Sequence, residues 1–173
     1  MYSILLVLLN TPNLRVFAHT EPTVPKSNTG FIANKGQWLN PSQYLINLRG
    51  AQVFIEPTAF QYFFEREQDV ANYFSHSLNP HLFRAQTINR HAVRVEFEHA
   101  LTNQIWGQDK LPHYYNFFNG NNAELWKGEV PAFRKIINPQ LYPGVALHVY
   151  TNEQGALKYD FVVSAKASTQ QIK

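Results

Sequence analysis

The chain has 173 residues and no cysteine. Disulfides and thiolate metal sites are therefore excluded, and with them every small fold that depends on such staples. Charged residues are scarce as well, at 16%, against the usual quarter or so. Lys and Arg total 15 and Asp and Glu 12, for a formal net charge of +3. The basic residues are scattered (Lys35, Arg49, Arg66, Arg84, Arg94, Lys127, Lys158) and form no stripe, so a nucleic-acid footprint is not supported. No apolar run approaches the roughly 20 residues that a membrane helix needs. There is no GxSxG, no HExxH, no P-loop and no Asp-rich calcium loop. No catalytic residue, metal site or cofactor is assigned from motifs.

Large side chains are plentiful: aromatics make up 14% and hydrophobic residues 45%. That composition argues against disorder, and the length suits one domain with a substantial core.

The N-terminus reads as an export signal. Residues 4–9 are apolar (ILLVLL), a polar break follows at 10–13, and Val16-Phe17-Ala18 places small or branched residues at −3 and −1 of a cleavage before His19. The apolar core is too short to span a bilayer. Lys and Arg are absent from its leading residues, so the true start is expected upstream. Residues 19–29, rich in Pro, Thr and Ser, read as a linker. Residues 30–173 read as one domain.

Within that domain the period is two. Tyr44–Arg49 reads as a strand. Gln52–Glu56 and Ala59–Phe64 read as a hairpin about Pro57. Val93, Val95 and Phe97 alternate with Arg94, Glu96 and Glu98, as in an antiparallel strand with one buried and one wet face. Val145–Tyr150 and Leu157–Val163 flank Thr151–Gly155, a hairpin loop with a glycine for positive φ. Arg66–Ser75 has helical spacing and is stopped by Asn79-Pro80. The sum is an all-β, antiparallel β-sandwich with one short helix.

Candidate sites are few. His76 and His81 flank Asn79-Pro80 with a spacing that suits neither a helix nor a strand metal pair, and they read as loop residues. His91 and His113 join them only if the fold brings distant residues together. Glu96 and Glu98 share a strand face about 7 Å apart. Such a pair could serve a secreted glycoside hydrolase, but beside Arg94 it reads first as a solvated face. Trp38, Trp106 and Trp126 each stand next to glycine and polar residues. Each fits either a flat platform for sugar rings or a plug at the end of the core. Trp106 and Trp126 are the candidate ligand residues. Asn34-Lys35-Gly36 suits a tight turn that returns Trp38 to the core. Tyr142-Pro143-Gly144 suits a type II turn launching the strand at Val145. Asn119–Asn122 reads as a further turn.

Several motifs occur in an order that resembles a known family. They are Phe31-Ile32-Ala33-Asn34-Lys35-Gly36-Gln37-Trp38, Tyr115-Asn116-Phe117-Phe118 with Gly120, Trp126, Leu141-Tyr142-Pro143-Gly144-Val145 with Leu147, and Leu157–Val163. The family is the N-terminal domain of unknown function of large exported proteins of gliding, Bacteroidetes-type bacteria. In those proteins it commonly precedes SBBP-type β-propeller repeats, Ig-like modules or a gliding-motility-associated sorting tail handled by type IX secretion. One departure is visible: Ser164–Thr169 replaces the family's Pro-Gly-Ala-Asp/Asn-Pro turn.

The resemblance implies a non-catalytic extracellular or cell-surface module, serving adhesion or structure, with further modules expected downstream of Lys173. It transfers no catalytic residue, and no cofactor is implied. A carbohydrate-binding module is the second expectation, with polysaccharide or another cell-surface component as partner.

Overall fold

The computed structural model describes residues 29–38, 40–65, 89–118 and 121–173. The export signal, nearly all of the linker, the Arg66–Ser75 helix, His76, His81 and Asn119-Gly120 lie outside these residues.

Among the described residues, nine strands form one antiparallel sheet: β1 Phe31–Ala33, β2 Tyr44–Leu48, β3 Ala51–Ile55, β4 Ala59–Glu65, β5 Arg90–Glu96, β6 Trp106–Phe117, β7 Lys127–Tyr142, β8 Val145–Thr151 and β9 Leu157–Val163. The helical elements among the described residues are two single 3-10 turns, Ala123–Leu125 and Thr169–Gln171. The strand order is β5-β4-β3-β2-β1-β7-β8-β9, with β6 paired to β7 off this path.

The sheet branches at β7. Lys110 of β6 and Phe31 of β1 both pair with Phe133, so they occupy opposite edges of β7. Gln108 of β6 and Tyr150 of β8 both pair with Lys135. β1 and β8 therefore follow one another along the same edge of β7. The sheet curls there into two layers, β1–β5 facing β8–β9. This is the sandwich that the alternating strands imply.

The alternating residues explain what lies between the layers. Val145, Leu147 and Val149 of β8 point inward and are buried, as do Ile46 of β2, Val53 and Ile55 of β3, and Phe60 of β4. Aromatic rings close the gap edge to face: Phe60 and Tyr159 at 5.7 Å, Phe97 and Phe161 at 6.0 Å. Such pairs add to plain area burial. A second, smaller cluster covers the other face of β1 and β7, with Ile32, Leu111, Val130 and Ala132 buried and Trp38, Tyr115 and Phe117 packed against them.

One expected face is corrected. Val93 and Val95 are 37% and 38% exposed rather than buried. β5 is the end of the strand order, and only Phe97, just past its end, reaches the core. Alternation on an edge strand reports which residues share a face, not whether that face is covered.

Close approach is tightest at Gly107. A Cβ on Gly107 would fall 2.2 Å from the Phe133 ring. The Gly107 N–H also donates to the Tyr44 hydroxyl at 2.8 Å, so this point of β6 is held by both β2 and β7. Burial pushes the Tyr44 hydroxyl above its ordinary pKa, against the opposing effect of that hydrogen bond. Gly107→Ala is expected to cost about 1–3 kcal/mol by overpacking, read as a melting temperature several degrees lower. Phe133→Leu in the same chain should restore part of the loss.

Tyr150 supplies a pH test. Its hydroxyl donates to Asp160 at 2.9 Å. Burial first, and then this carboxylate, push its pKa up to about 12 from 10.0. Folding thus favours the neutral phenol. The stabilisation is complete below the unfolded pKa and is lost as pH rises from 10 toward 12. The stability gap between the wild-type protein and Tyr150→Phe, measured by denaturant titration, should shrink across that window.

Candidate functional site

The most specific sequence motif is a self-contained turn. Asn34 follows β1, and its carboxamide bonds in both directions. Nδ2 donates to the carbonyls of Trp38 (3.1 Å) and Ser42 (2.8 Å), while Oδ1 accepts from the N–H groups of Gly36 (2.9 Å) and Trp38 (3.4 Å). Gly36 takes φ +96°, a conformation that favours glycine. Gln37 returns to the Ala33 carbonyl at 2.6 Å, and Lys35 Nζ reaches the Glu129 carbonyl at 3.1 Å. The turn delivers Trp38 onto Phe54 and Phe117, edge to face at 5.8 and 5.5 Å. Trp38 is therefore a lid on the smaller cluster.

The second motif is also structural. Gly144 has φ +72° and follows Pro143 between β7 and β8. Proline at the second and a positive-φ glycine at the third position is the type II pattern. Buried Tyr142 donates through its hydroxyl to the Lys173 carbonyl at 3.1 Å, and the Gln171 amide donates to the Pro143 carbonyl at 2.9 Å. These contacts tie the last residues to the turn.

Of the two acidic candidates, Glu96 is engaged by an arginine and Glu98 is not. The Arg94 guanidinium makes a two-pronged contact with Glu56, at 2.8 and 2.9 Å, and a third bond to Glu96 at 2.5 Å. Glu56 is buried. Hydrogen bonding to Glu56 first, and to Glu96 second, raises the Arg94 pKa further above its ordinary value. Glu98 lies beyond the end of β5, exposed, with its N–H on the Lys173 carbonyl. The Arg94–Glu56 pair thus holds β5 to the β3–β4 turn. Among the described residues, no three His, Cys, Asp or Glu side chains are grouped to hold a metal ion.

Trp106 and Trp126 are 48% and 43% exposed, so neither plugs the core. Nor do they meet. Trp106 opens β6, whereas Trp126 adjoins Lys127, the partner of Phe117 at the far end. At the strand rise they lie on the order of 30 Å apart. Trp126 has a partner platform residue: the Phe118 ring, 62% exposed, stands 5.5 Å from it edge to face.

A cleft not anticipated from sequence opens between the layers. It has a volume of about 350 Å³ and lies where the β2–β3 and β8–β9 turns approach each other. Its apolar lining includes Tyr62, Phe64, Leu157 and Tyr159. Each was legible as a strand residue. That two hairpins from different layers meet there was not.

A family model described as a domain of unknown function, DUF7948, matches residues 31–173. No curated protein and no solved structure matches the chain.

Asn34→Ala removes the acceptor and donor of the first turn at once. It is expected to cost roughly 1–3 kcal/mol through two unpaired carbonyls. Trp38→Ala should likewise lower the melting temperature by several degrees in a thermal scan. Both variants should keep the sheet's far-ultraviolet signature.

Proposed function

The chain belongs to the DUF7948 family of domains of unknown function, and from that premise we propose that it is a non-catalytic extracellular or cell-surface module. The observation that carries this reading is the use made of the most specific motif residues. Asn34, Gly36, Trp38, Tyr142, Pro143 and Gly144 serve turns and packing. The acids Glu56 and Glu96 serve an ion pair. A domain whose signature is spent on its own architecture suits adhesion or a structural position better than turnover.

Export through the N-terminal signal, with cleavage near Ala18, belongs to the same proposal. So does a place at the head of a larger Bacteroidetes-type protein, followed by SBBP-type repeats or a sorting tail. The support for both is the pattern at residues 4–18 and the order of the motifs. No helix among the described residues is long and apolar enough to cross a membrane.

One observation favours a second reading, a carbohydrate-binding module: the exposed pair Phe118–Trp126. Aromatic faces with polar rims suit sugar rings.

The intact mass of the protein recovered from the surface or medium of its native cells tests the first reading. A mass lacking residues 1–18 is expected, with additional mass if further modules follow Lys173. A protein recovered only from the cytoplasm with residues 1–18 in place would overturn it.

A further inference from the structure

The cleft between the layers carries more than packing. From its lining we infer that it is a binding site for a short oligosaccharide segment, separate from the Trp126 platform and independent of the structural role proposed above. Its volume of about 350 Å³ falls at the small end of ligand pockets, which run from about 300 to 1,000 Å³.

The rings are arranged in a graded series along β4. Phe60 is fully buried, Tyr62 is half-buried, and Phe64 is 40% exposed at the mouth. The planes of Tyr62 and Phe64 are parallel within 5°, with centroids 5.9 Å apart. Tyr159 and Leu157 face them from β9. The apolar surface thus continues from the core to the mouth of the cleft.

The rim is of a different kind. Arg49, from the β2–β3 turn, and Gln154, from the β8–β9 turn, border the same cleft. A pyranose offers an apolar C–H face edged by hydroxyl groups. Aromatic rings take the face, and a planar amide such as that of Gln154 takes the hydroxyls. A purely apolar ligand would leave the Gln154 amide unused.

The turns that hold the rim are firmly built. Asn152 Oδ1 accepts from the N–H groups of Gln154 (3.1 Å) and Ala156 (2.8 Å), and Gly155 takes φ +76°. Gly50 takes φ +73° in the opposite turn. The backbone of the β8–β9 turn is therefore preorganised, which lowers the ordering cost of binding.

The test is calorimetry and ligand-observed NMR on the purified full chain. The probes are short oligosaccharides of cellulose, xylan, chitin and mannan, with decanoate as an apolar probe. At least one sugar should bind. Phe64→Ala should weaken it roughly tenfold, the loss expected for one aromatic contact. Gln154→Ala, on an exposed turn, should weaken it several-fold with an unchanged melting temperature, which keeps the test decisive if Phe64→Ala fails to fold. Trp126→Ala should bind as the wild type does. Three results would overturn the inference: no sugar binds, decanoate binds in place of sugar, or binding is lost in Trp126→Ala and kept in both cleft variants.

Discussion

Everything in this domain hangs on the double use of one edge of β7. Sixteen residues long, β7 is paired by β6 on one side and by β1 and then β8 on the other. Two strands cannot lie side by side on the same stretch of edge, so they must follow one another. The sheet on either side of that junction then has to diverge, and the right-handed twist of paired strands carries the two parts apart into facing layers. Bulges accommodate the bend: the register shifts between Lys110 and Tyr114 of β6 and between Asn138 and Tyr142 of β7. The core, the smaller cluster under Trp38 and the cleft at the far end are all consequences of this one shared edge.

Among the described residues, several polar side chains serve the architecture. Asn34 closes a turn, Asn152 closes a hairpin, and Asn138 bridges from β7 to the Pro57 carbonyl at 2.8 Å. Arg94 spends its guanidinium on two glutamates. With charged residues so scarce, such local bonds satisfy the backbone groups that the twisted sheet leaves open. Aromatic rings are the surplus. Among the described residues they fill the core, cover the smaller cluster and still emerge at Phe64, Trp106, Tyr114, Phe118 and Trp126.

The sequence was legible where the two-residue period is clean. The hairpins β3–β4 and β8–β9, with their Pro57 and Gly155 turns, could be read directly, as could β2 and the β5 region. The two longest strands could not. β6 contains Asp109 at φ +57° and Pro112, while β7 contains Pro131 and Pro139 and a register shift. Each feature breaks alternation and depletes strand propensity. What makes them strands is pairing on both sides of β7, a tertiary fact. The same reason hid the cleft. Phe64 and Leu157 are unremarkable strand residues until the turn at β7 brings their hairpins opposite each other. Burial of the β5 valines failed differently, since period two is blind to whether anything lies overhead.

The place of β1 has a consequence for how the chain acquires its fold. Phe31 pairs with Phe133, across most of the domain's length, and β1 is the link between β2 and β7. The hairpins of the first half can form early from local contacts, but they present an unfinished edge until β7 arrives. Closing so long a loop is entropically slow. A chain built this way keeps that edge open until most of its length is available. It then locks when its earliest strand finds its latest partner.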